Sequence, residues 1–133
     1  MIELKLKAVD ENLLTVLDTV NEMISGCADK VRRQISISVE EIFINIVHYA
    51  YPSNDDKGEI LVKCDVCDGI ADISFQDSGI PYDPLKASSP DITLSAEERQ
   101  VGGLGVFMVK KNMDEVFYEY RDGKNILTMK KRL

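Results

Sequence analysis

The residues whose types and spacing could do chemistry lie in three short stretches. They are Glu41-Ile42-Phe43-Ile44-Asn45, Asp77-Ser78-Gly79-Ile80-Pro81, and Gly102-Gly103-Leu104-Gly105 running into Val106-Phe107-Met108-Val109. The first supplies a carboxylate and an amide one helical turn apart, separated by about 6 Å of rise and projecting together. An amide oxygen is a hard, neutral ligand for magnesium, and the carboxylate can orient a nucleophile or accept its proton. The second ends an alternation, Ile73-Ser74-Phe75-Gln76-Asp77, that puts the carboxylate on the face of Ile73 and Phe75. A buried carboxylate is costly unless paired or hydrogen-bonded. No basic neighbour in sequence offers itself, and Gly79 lets a flat group approach the backbone. The amino group of an adenine would satisfy Asp77, and so would a turn in which it caps its own backbone. In the third stretch, glycines stand where amides can turn toward an anion at a helix start. It lacks the lysine and Ser/Thr of a P-loop and follows a loop, so the mononucleotide and Rossmann fingerprints both fail. Each stretch is common alone; together they can hold a purine, three phosphates and a magnesium ion.

These parts need elements to carry them. Residues 2–9 alternate with period two and predict a strand. Over 11–26, Leu13, Leu14, Leu17, Val20, Met23 and Ile24 recur at helical spacing, with Asp10 as N-cap and Gly26 near the end. A longer helix is predicted from Asp29 to Tyr51, stopped by Pro52. On its wheel Gln34, Ser38, Glu41, Asn45 and His48 form a narrow polar stripe, bordered by Ile37 and Ile44 on one side and Ile35, Ile42 and Ile46 on the other. That pattern predicts a polar groove floor set in an apolar surface. Strands follow near 59–67 and 70–77, joined at Asp68-Gly69, and a closing hairpin near 115–121 and 124–131 turns at Asp122-Gly123. Between Ser78 and Val101 regular patterning fails, and an unpatterned stretch of that length is usually functional, often a lid. A helix from about Gly103 to Asn112 comes next, with Met108, Val109 and Met113 read as core. The reading is α+β, three helices over a sheet in one domain.

At 133 residues with a net charge of −7, the chain has no basic stripe to replace phosphate counterions, which argues against nucleic-acid binding. Its hydrophobic share of 44% is ordinary, and no apolar run approaches a membrane span or a signal segment. Cys27, Cys64 and Cys67 make no disulfide framework, so a reducing cytoplasm is the expected compartment. Cys64 and Cys67 sit three apart in a strand and point to opposite faces, which disfavours a metal pair. His48, the single histidine, has no Ser or Cys partner by pattern and is read as a groove-edge or packing residue.

Taken jointly and in order, the three stretches resemble the N, G1 and G2 boxes of the GHKL ATPase superfamily. The whole chain resembles the small bacterial anti-sigma factor serine kinases within it, most densely over Val39–Tyr51, Asp77–Pro84, and Gly102–Lys110 followed by Met113-Asp114-Glu115-Val116. The resemblance implies a two-layer α/β sandwich, the Bergerat fold, with a mixed, mostly antiparallel sheet and ATP beneath a lid at about 84–101. It implies that Asn45 ligates magnesium, Asp77 bonds the adenine amino group and Gly79 lines the base. The amides of Gly103, Leu104 and Gly105 would hold phosphates, Glu41 stands where the family has its general base, and Arg99 in the lid would meet the γ-phosphate. The family usually carries a threonine where Asn125 stands here, and asparagine can also hydrogen-bond near the adenine. The implied activity is Mg-ATP-dependent phosphorylation of a serine on a STAS-type anti-anti-sigma antagonist, together with sequestration of a sigma factor; a homodimer is also implied. A nucleotide-responsive partner switch with little transfer, and a stand-alone ATPase with Glu41 activating water, are the alternatives. Histidine-kinase catalytic domains usually show asparagine at the position of Glu41.

Overall fold

Two Asp-Gly pairs set the hairpins. Asp68 and Gly69 have φ of 54° and 76°, and Asp122 and Gly123 have φ of 55° and 75°. Two successive left-handed residues are what a two-residue hairpin turn needs, because its twist then matches that of the flanking strands. The computed structural model describes residues 1–51, 58–86 and 103–133. Its strands are β1 (Ile2–Lys7), β2 (Glu59–Cys67), β3 (Ile70–Asp77), β4 (Glu115–Arg121) and β5 (Lys124–Arg132). They form one five-stranded sheet in the order β1-β2-β3-β5-β4. All four pairings are antiparallel, so the described sheet contains no parallel pair.

Three α-helices, α1 (Leu13–Met23), α2 (Asp29–Tyr49) and α3 (Gly103–Asn112), cover one face, with α2 in contact with both of the others. The core lies between the layers. Ile60, Val62 and Cys64 on β2, Ile73 and Phe75 on β3, and Leu127 and Met129 on β5 meet Val16 and Val20 of α1, Ile35, Ile42 and Phe43 of α2, and Val109 of α3. Burying each large apolar side chain contributes about 1.5–3 kcal/mol, which fixes the register of every strand against the helices.

Several boundaries differ from the sequence reading. Asp10–Asn12 forms a turn of 3-10 helix, so α1 begins at Leu13 and Asp10 is not its N-cap. Asn12 turns its amide back to the Lys7 carbonyl (2.9 Å) instead of capping forward. β1 ends at Lys7, and α2 ends at Tyr49 with Ala50 as its cap, which frees Tyr51 from the helix. Met108 is 40% exposed, against the reading of it as core, while Val109 and Met113 are buried. Cys64 is buried and Cys67 exposed, as opposite strand faces require. Among the described residues, no helix is long and apolar enough to cross a membrane.

Candidate functional site

At the end of the core face, the apolar rungs of β3 and β5 give way to one polar rung. Asp77 pairs with Asn125 across the two strands, and each is only 6% exposed. Asp77 Oδ1 accepts the Gly79 amide (3.0 Å) and the Asn125 side-chain amide (2.9 Å). Asp77 therefore does cap its own turn. Its second oxygen, Oδ2, receives no hydrogen bond among the described residues. Burial pushes this carboxyl above the ordinary aspartate range, and the bonds from Asn125 and Gly79 oppose that rise. A buried acceptor with an open oxygen is a place for a ligand N–H donor.

The turn after Asp77 is stapled to α2. Ile80 donates its amide to the Ala50 carbonyl (3.1 Å). Gly79 sits so close that a Cβ there would lie 2.2 Å from Ala50 O and 2.6 Å from Ala50 C. The position needs glycine for space, since both obstacles are backbone. Gly79→Ala should therefore cost about 2–3 kcal/mol, the scale of a forced overpacking; a urea-unfolding midpoint equal to wild type would refute the contact. Tyr51 adds a second tie: its hydroxyl accepts the Ser78 amide (2.8 Å) and donates to the Glu59 carbonyl (2.8 Å).

Between α2, β3, β5 and this turn lies a pocket with about 410 Å³ of empty space, counting the part open to solvent. Asn45, Asp77 and Asn125 supply its polar groups, and Ile42, Ile46, Phe75, Ile80 and Leu127 its apolar wall. Tyr49, Tyr82 and Tyr118 also line it. The sequence reading missed these tyrosines, which lie outside the three stretches or at their edges. For Tyr118, which lies opposite Leu127, the hairpin register is the signal that could have found it.

Glu41 and Gly105 meet at the other end. A Cβ on Gly105 would lie 1.9 Å from Glu41 Oε2, so α3 crosses α2 with its first turn against this carboxylate. Burial, then the charge of Glu40, raises the Glu41 carboxyl above the usual glutamate range. The backbone amides of Gly103, Leu104 and Gly105 stand in the first turn of α3, where N–H groups have no partner within the helix. Such amides can bind an anion. The expected polar stripe on α2 divides. Ser38 is buried and bonds the Gln34 carbonyl (2.8 Å), while His48 is exposed and lies 3.7 Å from Asp10. Of the stripe, Asn45 lines the pocket and Glu41 packs against Gly105. The stripe's Ile37 border is 44% exposed and forms no wall. Arg99, Gly102 and most of the anticipated lid at 84–101 lie outside the described residues.

The groups present fit an adenine nucleotide: an open buried acceptor for an amino group, an apolar slot for a flat ring, and helix-start amides for phosphate. Among the described residues, no group of three or more His, Cys, Asp or Glu could hold a metal ion. Asn45 could supply one neutral oxygen to magnesium, whose remaining positions would fall to phosphates and water.

Comparison with known proteins places the fold. The histidine kinase-like ATPase domain family matches residues 5–131. The serine-protein kinase RsbW of Bacillus thuringiensis (strain Al Hakam) is 28% identical over 137 residues, covering 97% of this chain and 83% of that protein. The serine-protein kinase RsbW of Listeria monocytogenes serotype 4a is 26% identical over 110 residues, covering 80% and 69%. A crystal structure of RsbU and RsbW domains from Mycobacterium tuberculosis superposes with a TM-score of 0.68 at 20% identity, covering all of this chain and 33% of that one. A histidine kinase domain from Erythrobacter litoralis has a TM-score of 0.59 at 15% identity, covering 92% and 60%. The chain thus spans about a third of the first of these structures and under two-thirds of the second. With the family match running over residues 5–131 and the fold in agreement, this chain belongs to the histidine kinase-like ATPase family.

Proposed function

We propose that this chain is a Mg-ATP-dependent protein serine kinase of the anti-sigma factor class. Its substrate would be a serine on a STAS-type anti-anti-sigma protein, its other partner a sigma factor, and its compartment the cytoplasm. The observation that carries the reading is the packing of Glu41 against Gly105 at the start of α3, one helical turn from Asn45. It joins a candidate proton acceptor, a metal ligand and a phosphate-binding helix start in one place. The similarity to proteins named serine-protein kinase RsbW supports the substrate class.

In this reading Asp77 accepts the adenine amino hydrogen and Gly79 lets the ring lie against the turn. The first amides of α3 hold phosphate oxygens, and Asn45 offers its oxygen to magnesium. Bound magnesium supplies neutralisation of phosphate charge. Glu41 orients the serine hydroxyl and takes its proton as the oxygen bonds to the γ-phosphorus and the bond to ADP breaks. Phosphoryl transfer asks mainly for such positioning and electrostatics. The test is incubation of the purified chain with Mg-ATP and a purified STAS-type antagonist, followed by mass spectrometry. Stoichiometric phosphoserine is expected. ATP binding without phosphoserine would sink the kinase reading and favour a nucleotide-responsive binding module.

A further inference from the structure

The side chain of Asn125 has no hydrogen-bonding capacity left over. Its amide nitrogen donates to Asp77 Oδ1 (2.9 Å) and to the Ile80 carbonyl (2.9 Å). Its oxygen accepts the Tyr82 amide (3.1 Å) and the Tyr118 hydroxyl. Two donors and two acceptor sites are the whole inventory of a carboxamide. Asn125 therefore cannot also bond a base in the pocket without giving up one of these partners. Nor can the amide be reversed. Ile80 presents a backbone carbonyl and Tyr82 a backbone N–H, and each accepts only one orientation of the carboxamide. The protein thus compels an N–H to point at Asp77 Oδ1.

We infer that Asn125 is a positioning and specificity-determining residue of the nucleotide site. By donating to Asp77 Oδ1, it keeps Oδ2 as a fixed acceptor and so selects a purine with a 6-amino group over one with a 6-oxo group. The inference rests on the nucleotide-binding reading above. A carboxylate with both donated bonds on Oδ1 can only accept at Oδ2. A carboxylic acid protonated at Oδ2 would instead donate, which suits a 6-oxo purine. Burial favours the acid, and the Asn125 bond, followed by that from Gly79, favours the carboxylate. Among the described residues, the titratable groups beside Asp77 are tyrosines, Tyr51 and Tyr118 close to it and Tyr49 and Tyr82 lining the same pocket, and none adds positive charge. The donated hydrogen bond is what holds the charge. Threonine has one donor, so its hydroxyl could serve Asp77 but not Ile80 as well.

The experiment is calorimetric titration of the full chain with Mg-ATP and Mg-ITP at about pH 8 and pH 6, for wild type, Asn125→Ala and Asn125→Thr, with folding checked by circular dichroism. ITP differs from ATP at C6 of the base and retains the same phosphates. Wild type should prefer ATP at both pH values. In Asn125→Ala the ATP-to-ITP ratio should fall about tenfold or more, the scale of a hydrogen bond to a charged group, and fall further at the lower pH. Asn125→Thr should keep most of the ratio while both affinities drop, because only support of the turn is lost. A wild-type ratio in folded Asn125→Ala, or a ratio in Asn125→Thr as low as that expected for alanine, would overturn the inference and leave nucleotide binding standing. Wild type that binds neither nucleotide would overturn both.

Discussion

An Asp77→Asn chain should lose ATP binding by about a hundredfold or more and yet be at least as stable as wild type near neutral pH. The two effects share one cause. Asparagine keeps an oxygen to accept the Gly79 and Asn125 amides, so the turn survives. In place of Oδ2, however, it presents an N–H₂, which opposes an adenine amino group donor to donor. Stability runs the other way. Because burial raises the Asp77 carboxyl, the folded chain holds that proton more tightly than the unfolded chain does. The neutral form's contribution is fully present below the ordinary carboxylate range and is lost as pH rises through the raised folded value. Asparagine never ionises and keeps it. Thermal melts should show Asp77→Asn above wild type at about pH 8, the gap closing toward about pH 4. Unchanged ATP affinity would remove Asp77 from the base site; a variant less stable at every pH would mean its charge is better solvated than its burial implies.

The second large effect belongs to Glu41. Glu41→Gln preserves the shape packed against Gly105 and should leave ATP affinity within about twofold of wild type. Antagonist phosphorylation should fall about 10²–10⁴-fold, the usual contribution of a positioned general base. The pH dependence gives an independent check. Burial, with Glu40 next, raises the Glu41 carboxyl, so wild-type transfer should decline on the acid side as that carboxyl takes up its proton. The residual rate of the glutamine variant should lack that limb. Equal single-turnover rates in the two proteins would take Glu41 out of proton transfer and leave it a packing residue beneath α3.

Features governed by neighbours in sequence were legible before the structure. Asp-Gly at 68–69 and at 122–123 dictates its own backbone angles, so both hairpins fall where expected. Alternation along β3 placed Asp77 on the core face without any tertiary information. What could not be read is which element covers which surface. The wheel of α2 shows a polar stripe, but only the crossing of α3 at Gly105 selects Glu41 from it, and the wheel does not show that Ile37 stays exposed. The same limit applies to Asn125. The sequence marks it as a substitute near the base, yet its four bonds reach β3, the turn and β4, up to 48 residues away. Tyr118 was missed for that reason as well. An aromatic residue on an edge strand looks alike whether it faces water or a ligand slot.

Tyr51 and Gly58, with six residues between them, are held directly against each other. A Cβ on Gly58 would lie 2.1 Å from the Tyr51 ring, and the same ring's hydroxyl holds both Glu59 and Ser78. The residues that flank positions 52–57 are therefore fixed side by side. Added length between such fixed ends costs only closure entropy, about 0.6 kcal/mol for each doubling of the loop. For protein engineering, this is the port through which an epitope, a fluorophore peptide or a whole second domain can be spliced into the molecule.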